Sequence, residues 1–220
     1  MSASPTARKA VLAGATGLVG RALLSELIAS RRYAQVHALL RRAAPDLPAD
    51  PKLRVQQIDF GRLPALPAVD DVFITLGTTI KVAGSQDAFR RVDFDAVLNT
   101  ARAARAAGAT QLVVVSALGA DAKSRVFYNR VKGEMEGAVA EVGFDSVVIA
   151  QPSLLVGDRA ALGQPLRAGE VWAKRLFGWV PGNMRPIDAA TVARALMRAA
   201  LEAAPGKRVL SSAQMQTMGT

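Results

Sequence analysis

The chain has 220 residues, half of them hydrophobic and 21% charged, an ordinary globular composition with enough length to bury one sizeable core. It has no cysteine and one histidine, His37, inside the apolar run Val36–Leu40, which excludes disulfides, zinc–thiolate sites, a cysteine nucleophile and a Ser-His-Asp triad; no metal site is expected. The net charge of +10 is spread along the chain in pairs such as Arg31-Arg32 and Arg90-Arg91, with no interleaved aromatics, so nucleic acid is not an expected partner.

Apolar runs and helical periodicities alternate from the first residues onward. Lys9–Ala13 is a short strand that ends in glycines, and Leu18–Ser30 then places Val19, Ala22, Leu23 and Leu27 at helical spacing. Gln35–Leu40 reads as a second strand and Arg54–Phe60 as a third. Asp71–Leu76 is a fourth strand, apolar throughout. Gln86–Ala107 is a long alanine-rich helix stopped by Gly108. Leu112–Ser116 is the fifth strand, Tyr128–Val142 a helix closed by Gly143, and Ser146–Ala150 the sixth strand. Beyond Pro152 the rhythm breaks into a segment rich in glycine, proline and tryptophan, followed by a helix over Asp188–Ala203 and a strand over Arg208–Ser211.

Wholly apolar strands separated by helices predict an α/β fold with a doubly wound parallel sheet covered on both faces, with ligands at the carboxyl ends of the strands. Residues 1–220 read as one domain with a small C-terminal substrate-side lobe over about 157–187. The apolar stretch Val11–Gly20 is too short and glycine-broken for a signal peptide, and no window approaches the roughly 18 apolar residues a membrane span needs. A cytoplasmic location is expected.

Three groups of residues carry chemistry. The first is Gly14-Ala15-Thr16-Gly17-Leu18-Val19-Gly20, a glycine-rich turn between the first strand and first helix, where small residues let a pyrophosphate approach free backbone N–H groups. The second is Arg41-Arg42, at the end of the second strand. A carboxylate here favours NAD(H), whereas arginine can pair with the 2′-phosphate of NADP(H), the cofactor expected; a solvated arginine pair is the plainer reading. Asp59 and Phe60 after the third strand could flank the adenine, and Leu76, Gly77 and Thr78 after the fourth could line the ribose and pyrophosphate. The third is Tyr128 with Lys132, which share a helix face at i and i+4. A lysine cation near a phenol favours its ionised form, the requirement for acid–base work near neutrality. Ser116, ending the fifth strand, could hold a substrate carbonyl, or could simply terminate the strand.

Gly14-Ala15-Thr16-Gly17, Ser116, Tyr128 with Lys132, and Gln151-Pro152-Ser153 together resemble the short-chain dehydrogenase/reductase superfamily of Rossmann proteins. Phe73–Thr79, Arg91-Val92-Asp93, Gly119-Ala120-Asp121 and Tyr128–Glu134 are similar to its atypical Tat-interacting-protein branch. The resemblance implies a nicotinamide half near Tyr128, Lys132 and Pro152, Ser153, Leu154 and Leu155. It further implies Tyr128 as proton donor, Lys132 as its partner, Ser116 as the orienting hydroxyl, and Asn99 in a proton relay. Ile187-Asp188 ahead of Thr191-Val192-Ala193 looks like the closing segment of extended members.

The expected function is an NADP(H)-dependent oxidoreductase acting on a small carbonyl or alcohol, as monomer or homodimer. A non-catalytic NADPH sensor or scaffold is the alternative, and a nucleotide-sugar epimerase or dehydratase a second one, disfavoured by the short lobe. The stretch 171–180, with Trp172, Phe177 and Trp179, reads equally as substrate lid, dimer contact, peripheral membrane helix or core-packed helix.

Overall fold

The computed structural model describes residues 7–157 and 184–220. Its strands are β1 (Arg8–Ala13), β2 (Tyr33–Leu40), β3 (Leu53–Gln57), β4 (Asp71–Ile74), β5 (Gln111–Val115), β6 (Ser146–Gln151), β7 (Leu155–Val156), β8 (Ile187–Asp188) and β9 (Gly206–Ser211). The helices are α1 (Leu18–Ala29), α2 (Ile80–Ala83), α3 (Gln86–Arg90), a π turn (Arg91–Asp95), α4 (Ala96–Ala106), α5 (Phe127–Ala140), α6 (Ala189–Glu202) and α7 (Ser212–Met218).

Seven strands form one parallel sheet in the order β3-β2-β1-β4-β5-β6-β9, the doubly wound Rossmann arrangement read from the sequence. The wholly apolar strands are explained by two cores. Ala10 and Leu12 of β1, Phe73 of β4, Val113 of β5 and Val148 of β6 point to a core shared with α1 and α6. Their neighbours Val11, Ala13, Val72, Ile74, Leu112, Val114, Val147 and Ile149 point to the opposite core, under α4 and α5. Period-two alternation therefore persists, but both faces are dry, so no polar residue marks it.

The helix read as continuous over Gln86–Ala107 is interrupted. Between α3 and α4 the Ala96 N–H bonds the Arg91 carbonyl five residues back, so one extra residue is accommodated as a π turn. Periodicity missed it because the flanking turns stay apolar on the same side. The third strand also stops before Phe60, where the Asp59 carboxylate takes the Gly61 N–H and turns the chain. Further elements were not anticipated. They include the one-turn helix α2 and the small parallel pair β7–β8. They also include α7, although Ser211 and Gln214 form the capping box that announces it. The expected lobe lies almost wholly outside the described residues, as does the 171–180 stretch.

His37 is a half-buried strand residue whose ring meets the Gln35 side chain at 3.1 Å, and partial burial with Lys9 and Arg54 nearby lowers its pKa. It takes no part in the site.

The amino ends of three adjacent strands are pinned by one cluster. Asp71, fully buried at the start of β4, accepts both the Arg8 guanidinium from β1 and the Tyr33 hydroxyl from β2, the latter at 2.8 Å. Burial, then the Asp71 charge, pushes the Tyr33 phenol well above its ordinary value, so it remains a proton donor at every pH the fold meets. Tyr33→Phe removes one neutral donor and should cost about 1 kcal/mol. Asp71→Ala leaves the Tyr33 hydroxyl buried without an acceptor and strips Arg8 of its partner, and should cost about 3 kcal/mol. Urea unfolding of both variants checks the ranking; equal losses would contradict this account of the cluster.

Candidate functional site

The carboxyl ends of the parallel strands converge on one edge, and the sequence-derived candidates lie along it. The turn after β1 is built around Gly14, whose φ of +96° places it in the left-handed region. A Cβ there would stand 2.6–2.8 Å from Thr75, whose side chain donates to the Ala13 and Gly14 carbonyls. At Gly20 a Cβ would collide with the Gly14 carbonyl. These two glycines are demanded by the packing of helix on strand.

Gly17 differs. Its φ is −78° and a Cβ would meet only the Gly14 carbonyl, at 3.4 Å. It is also the N-cap of α1, which has no side-chain cap and no acid in its first turn. The open N–H groups and positive dipole end suit an anion, and bare backbone at Gly17 lets that anion approach. Ala15 is buried here, and Thr16, Leu18 and Val19 continue the turn into the helix.

Arg41 and Arg42 follow β2, fully exposed, with no hydrogen bond or ion pair among the described residues. Asp46, farther along the same loop, pairs with Arg21 of α1. Asp59 is exposed beyond β3, while Phe60 packs against the core beneath α4. The Asn99 amide donates to the Phe60 carbonyl at 3.1 Å and fastens the loop after β3 to α4.

On the other half of the edge, Ser116 follows β5. It is 5% exposed, and its hydroxyl has no hydrogen-bond partner among the described residues. A buried hydroxyl in that state is expected to meet a ligand or water. Tyr128 and Lys132 occupy one face of α5. The Tyr128 ring packs on the buried Phe89 of α3, centroids 5.3 Å apart, and its hydroxyl makes no hydrogen bond among the described residues.

Lys132 lies within the protein, 3% exposed, with Nζ 2.7 Å from Oδ1 of Asp93, itself 1% exposed. The other Asp93 oxygen accepts the Thr78 backbone N–H at 2.9 Å, and Gly77 passes beside the pair. Leu76, Gly77 and Thr78 are thereby tied to Lys132 through one carboxylate. Asp93 was not singled out as a site residue by spacing; it stood only in the Arg91-Val92-Asp93 resemblance. A carboxyl at this point of an apolar helix face was the available signal.

Pro152 to Leu155 close the edge. The Leu118 N–H donates to the Pro152 carbonyl at 2.9 Å, and the Ile187 N–H to the Leu154 carbonyl at 3.0 Å, which starts the β7–β8 pair. The Ser153 hydroxyl bonds both the Arg185 carbonyl and Ser212 of α7. The loop over 117–126 reaches down to α5 because Gly133 has no side chain: a Cβ there would overlap the Asp121–Ala122 backbone. The Asp121 N–H bonds the Asn129 carbonyl at 3.0 Å. The glycine of the Tyr128–Glu134 stretch thus has a packing cause.

The glycine turn, the uncapped helix and the unpartnered Ser116 form an edge suited to a dinucleotide, and comparison with known proteins agrees. An NAD(P)H-binding family model matches residues 14–164. The chain belongs to that family. Within it, the chain is an atypical short-chain dehydrogenase/reductase of the HTATIP2 branch, 36% identical to "Protein HTATIP2" of Rattus norvegicus over 194 residues, 84% of this chain and 77% of that protein. It is 31% identical to "Protein FMP52, mitochondrial" of Candida albicans over 191 residues, 82% of each chain. Among solved structures, MoeE5 in complex with UDP-glucose and NAD superposes with a TM-score of 0.70 at 20% identity, over 96% of this chain and 80% of that one, a likeness of fold.

The cytoplasmic location expected from the sequence is overturned by the family's fungal members, which are named as mitochondrial. The lack of a spanning segment had suggested cytoplasm, but it does not distinguish one aqueous compartment from another. Among the described residues no helix is long and apolar enough to cross a membrane.

The two glycines at the turn make opposite predictions. Gly14→Ala should prevent stable folding, because the strained φ and the Thr75 contact both oppose it. Gly17→Ala should melt within a few degrees of the parent while losing at least tenfold in NADPH affinity, read by thermal melts and fluorescence titration. Unchanged affinity in Gly17→Ala would contradict the assigned anion approach.

Proposed function

We propose that this protein is an NADP(H)-dependent oxidoreductase acting on a small carbonyl or alcohol substrate. What supports the reading is the buried Ser116 hydroxyl, unpartnered among the described residues, together with the Tyr128 phenol, unbonded among the described residues, and the buried Lys132 ammonium one turn further along the same face of α5. A protein that only binds a cofactor has no use for a serine and a tyrosine left without partners.

Gly14, Ala15, Thr16, Gly17, Leu18 and Val19 would hold the pyrophosphate, and Arg41 and Arg42 the adenosine 2′-phosphate. Asp59 and Phe60 would flank the adenine. Leu76, Gly77, Thr78 and Lys132 would line the riboses, and Pro152, Ser153, Leu154 and Leu155 the nicotinamide. When bound, NADPH supplies the hydride. Ser116 donates its O–H to the substrate carbonyl oxygen and orients it. Tyr128 delivers the phenolic proton to that oxygen, giving the alcohol; the reverse reaction returns the proton to the phenolate. Lys132 keeps a cation on the tyrosine's own helix face throughout.

Two features support NADP(H) over NAD(H). Arg41 and Arg42 are free to pair with a phosphate. The acid nearest along that loop, Asp46, is engaged by Arg21, whose hydrogen bond holds its carboxyl below the usual carboxylate range.

Fluorescence titration with NADPH, NADP⁺, NADH and NAD⁺ tests the cofactor, and a panel of small aldehydes and quinones tests the reaction. The phosphorylated pair should bind tighter. Arg41→Ala should weaken NADPH by about tenfold, the loss of one charge-assisted contact, and leave NADH unchanged. Tyr128→Phe should keep cofactor affinity and lose at least a hundredfold in turnover, the scale of general acid catalysis. Turnover that survives Tyr128→Phe would refute the assigned proton donor. Tight binding with no turnover by the parent protein would leave the sensor reading in its place.

A further inference from the structure

We infer that Asp93 is a positioning residue of the site. The inference rests on the reading of Lys132 as a cofactor contact and adds what prepares that contact before any cofactor arrives.

Lys132 is an unusual residue to find buried. An ammonium shielded from water needs a partner or it loses its charge. Among the described residues that partner is Asp93, 2.7 Å away and equally buried. The carboxylate has a second engagement on its other oxygen, the Thr78 N–H at 2.9 Å. One side chain therefore fixes two groups that arrive from different elements: the Lys132 ammonium from α5 and the backbone turn leaving β4.

Asp93 stands on the π turn between α3 and α4, four residues from Phe89 and four from Val97, and all three are buried. The side chain therefore lies on the inward face that α3 and α4 share, where α5 brings Lys132.

The arrangement differs from a purely structural ion pair in its geometry. Gly77, adjacent to both charges, presents bare backbone, with Asp93 Oδ1 and Lys132 Nζ 3.5 and 3.9 Å from where its Cβ would stand. The pair thus lies next to the strand-end turn at the edge where a dinucleotide would run. Preorganisation by groups held on rigid elements is what makes such a contact effective at the moment of binding.

The test is a double-mutant cycle read by NADPH affinity, on the full chain. Asp93→Asn keeps the shape and one acceptor, and should weaken NADPH three- to tenfold. Lys132→Met should weaken it by at least as much, and the double variant should lose less than the two single losses combined, because Asp93 acts in part through Lys132. Thermal melts confirm that each variant is folded at the titration temperature, with Lys132→Gln replacing Lys132→Met where the latter does not fold. Additive losses, or an Asp93→Asn variant that melts lower but binds NADPH as the parent does, would overturn the inference and make the pair structural only. Failure of the parent itself to bind NADPH would instead remove the proposed function, and this inference with it.

Discussion

The contact on which the site depends is the buried ion pair between Lys132 and Asp93. Taking both charges out of water costs several kcal/mol for each ion, so the pair adds little net stability; removing one member and leaving the other costs far more, about 3–5 kcal/mol. Its value is geometric. It locks α5 to the π turn, and through the Thr78 N–H to the end of β4, so three elements share one hinge-free point. Tyr128 lies one helical turn before Lys132 and its ring is backed by Phe89 from α3. The phase of α5 therefore sets the position of the proposed proton donor, and the ion pair sets the phase of α5.

The fold was legible because the local chemistry of each element agreed with the global pattern. Apolar strands, glycine stops at Gly108 and Gly143 and the glycine turn after β1 all pointed to a doubly wound sheet. Candidates from every strand end were also legible, because a parallel sheet sends its ligand sites to one edge irrespective of detail. What was not legible depended on contacts between distant residues. The π turn is invisible to periodicity because Phe89 and Val97 are both apolar and both buried. The bond from the Asn99 amide on α4 to the Phe60 carbonyl joins residues 39 apart in sequence. Asp93 could be recognised only once Lys132, far along the chain, was seen beside it. α7 is the exception: its capping box was in the sequence, at a helix too short to show a period.

The two edges of the sheet divide the work. At the amino edge, Asp71 gathers Arg8 and Tyr33 from neighbouring strands. At the carboxyl edge, Ser116 and Tyr128 stay unengaged among the described residues, and α1 goes without a side-chain cap. A buried hydroxyl left unsatisfied costs stability, and Ser116 stands where a ligand could complete its hydrogen bonding. The glycines differ in the same way: a side chain at Gly14 or Gly20 would collide with the turn, while one at Gly17 would meet only the Gly14 carbonyl among the described residues.

Charge at the carboxyl edge follows a similar logic. The excess of arginine is spread along the chain. Around the loop after β2, however, the balance is local. Arg21 neutralises Asp46, leaving Arg41 and Arg42 uncompensated at the strand end where the adenosine ribose of a dinucleotide would lie. The strand end itself, Leu40-Arg41-Arg42, carries no carboxylate, and Asp46 farther along the loop is held by Arg21 of α1. Selection for a phosphorylated ribose would then rest on an ion pair that touches no ligand, formed by Arg21 and Asp46, as much as on the two arginines that do.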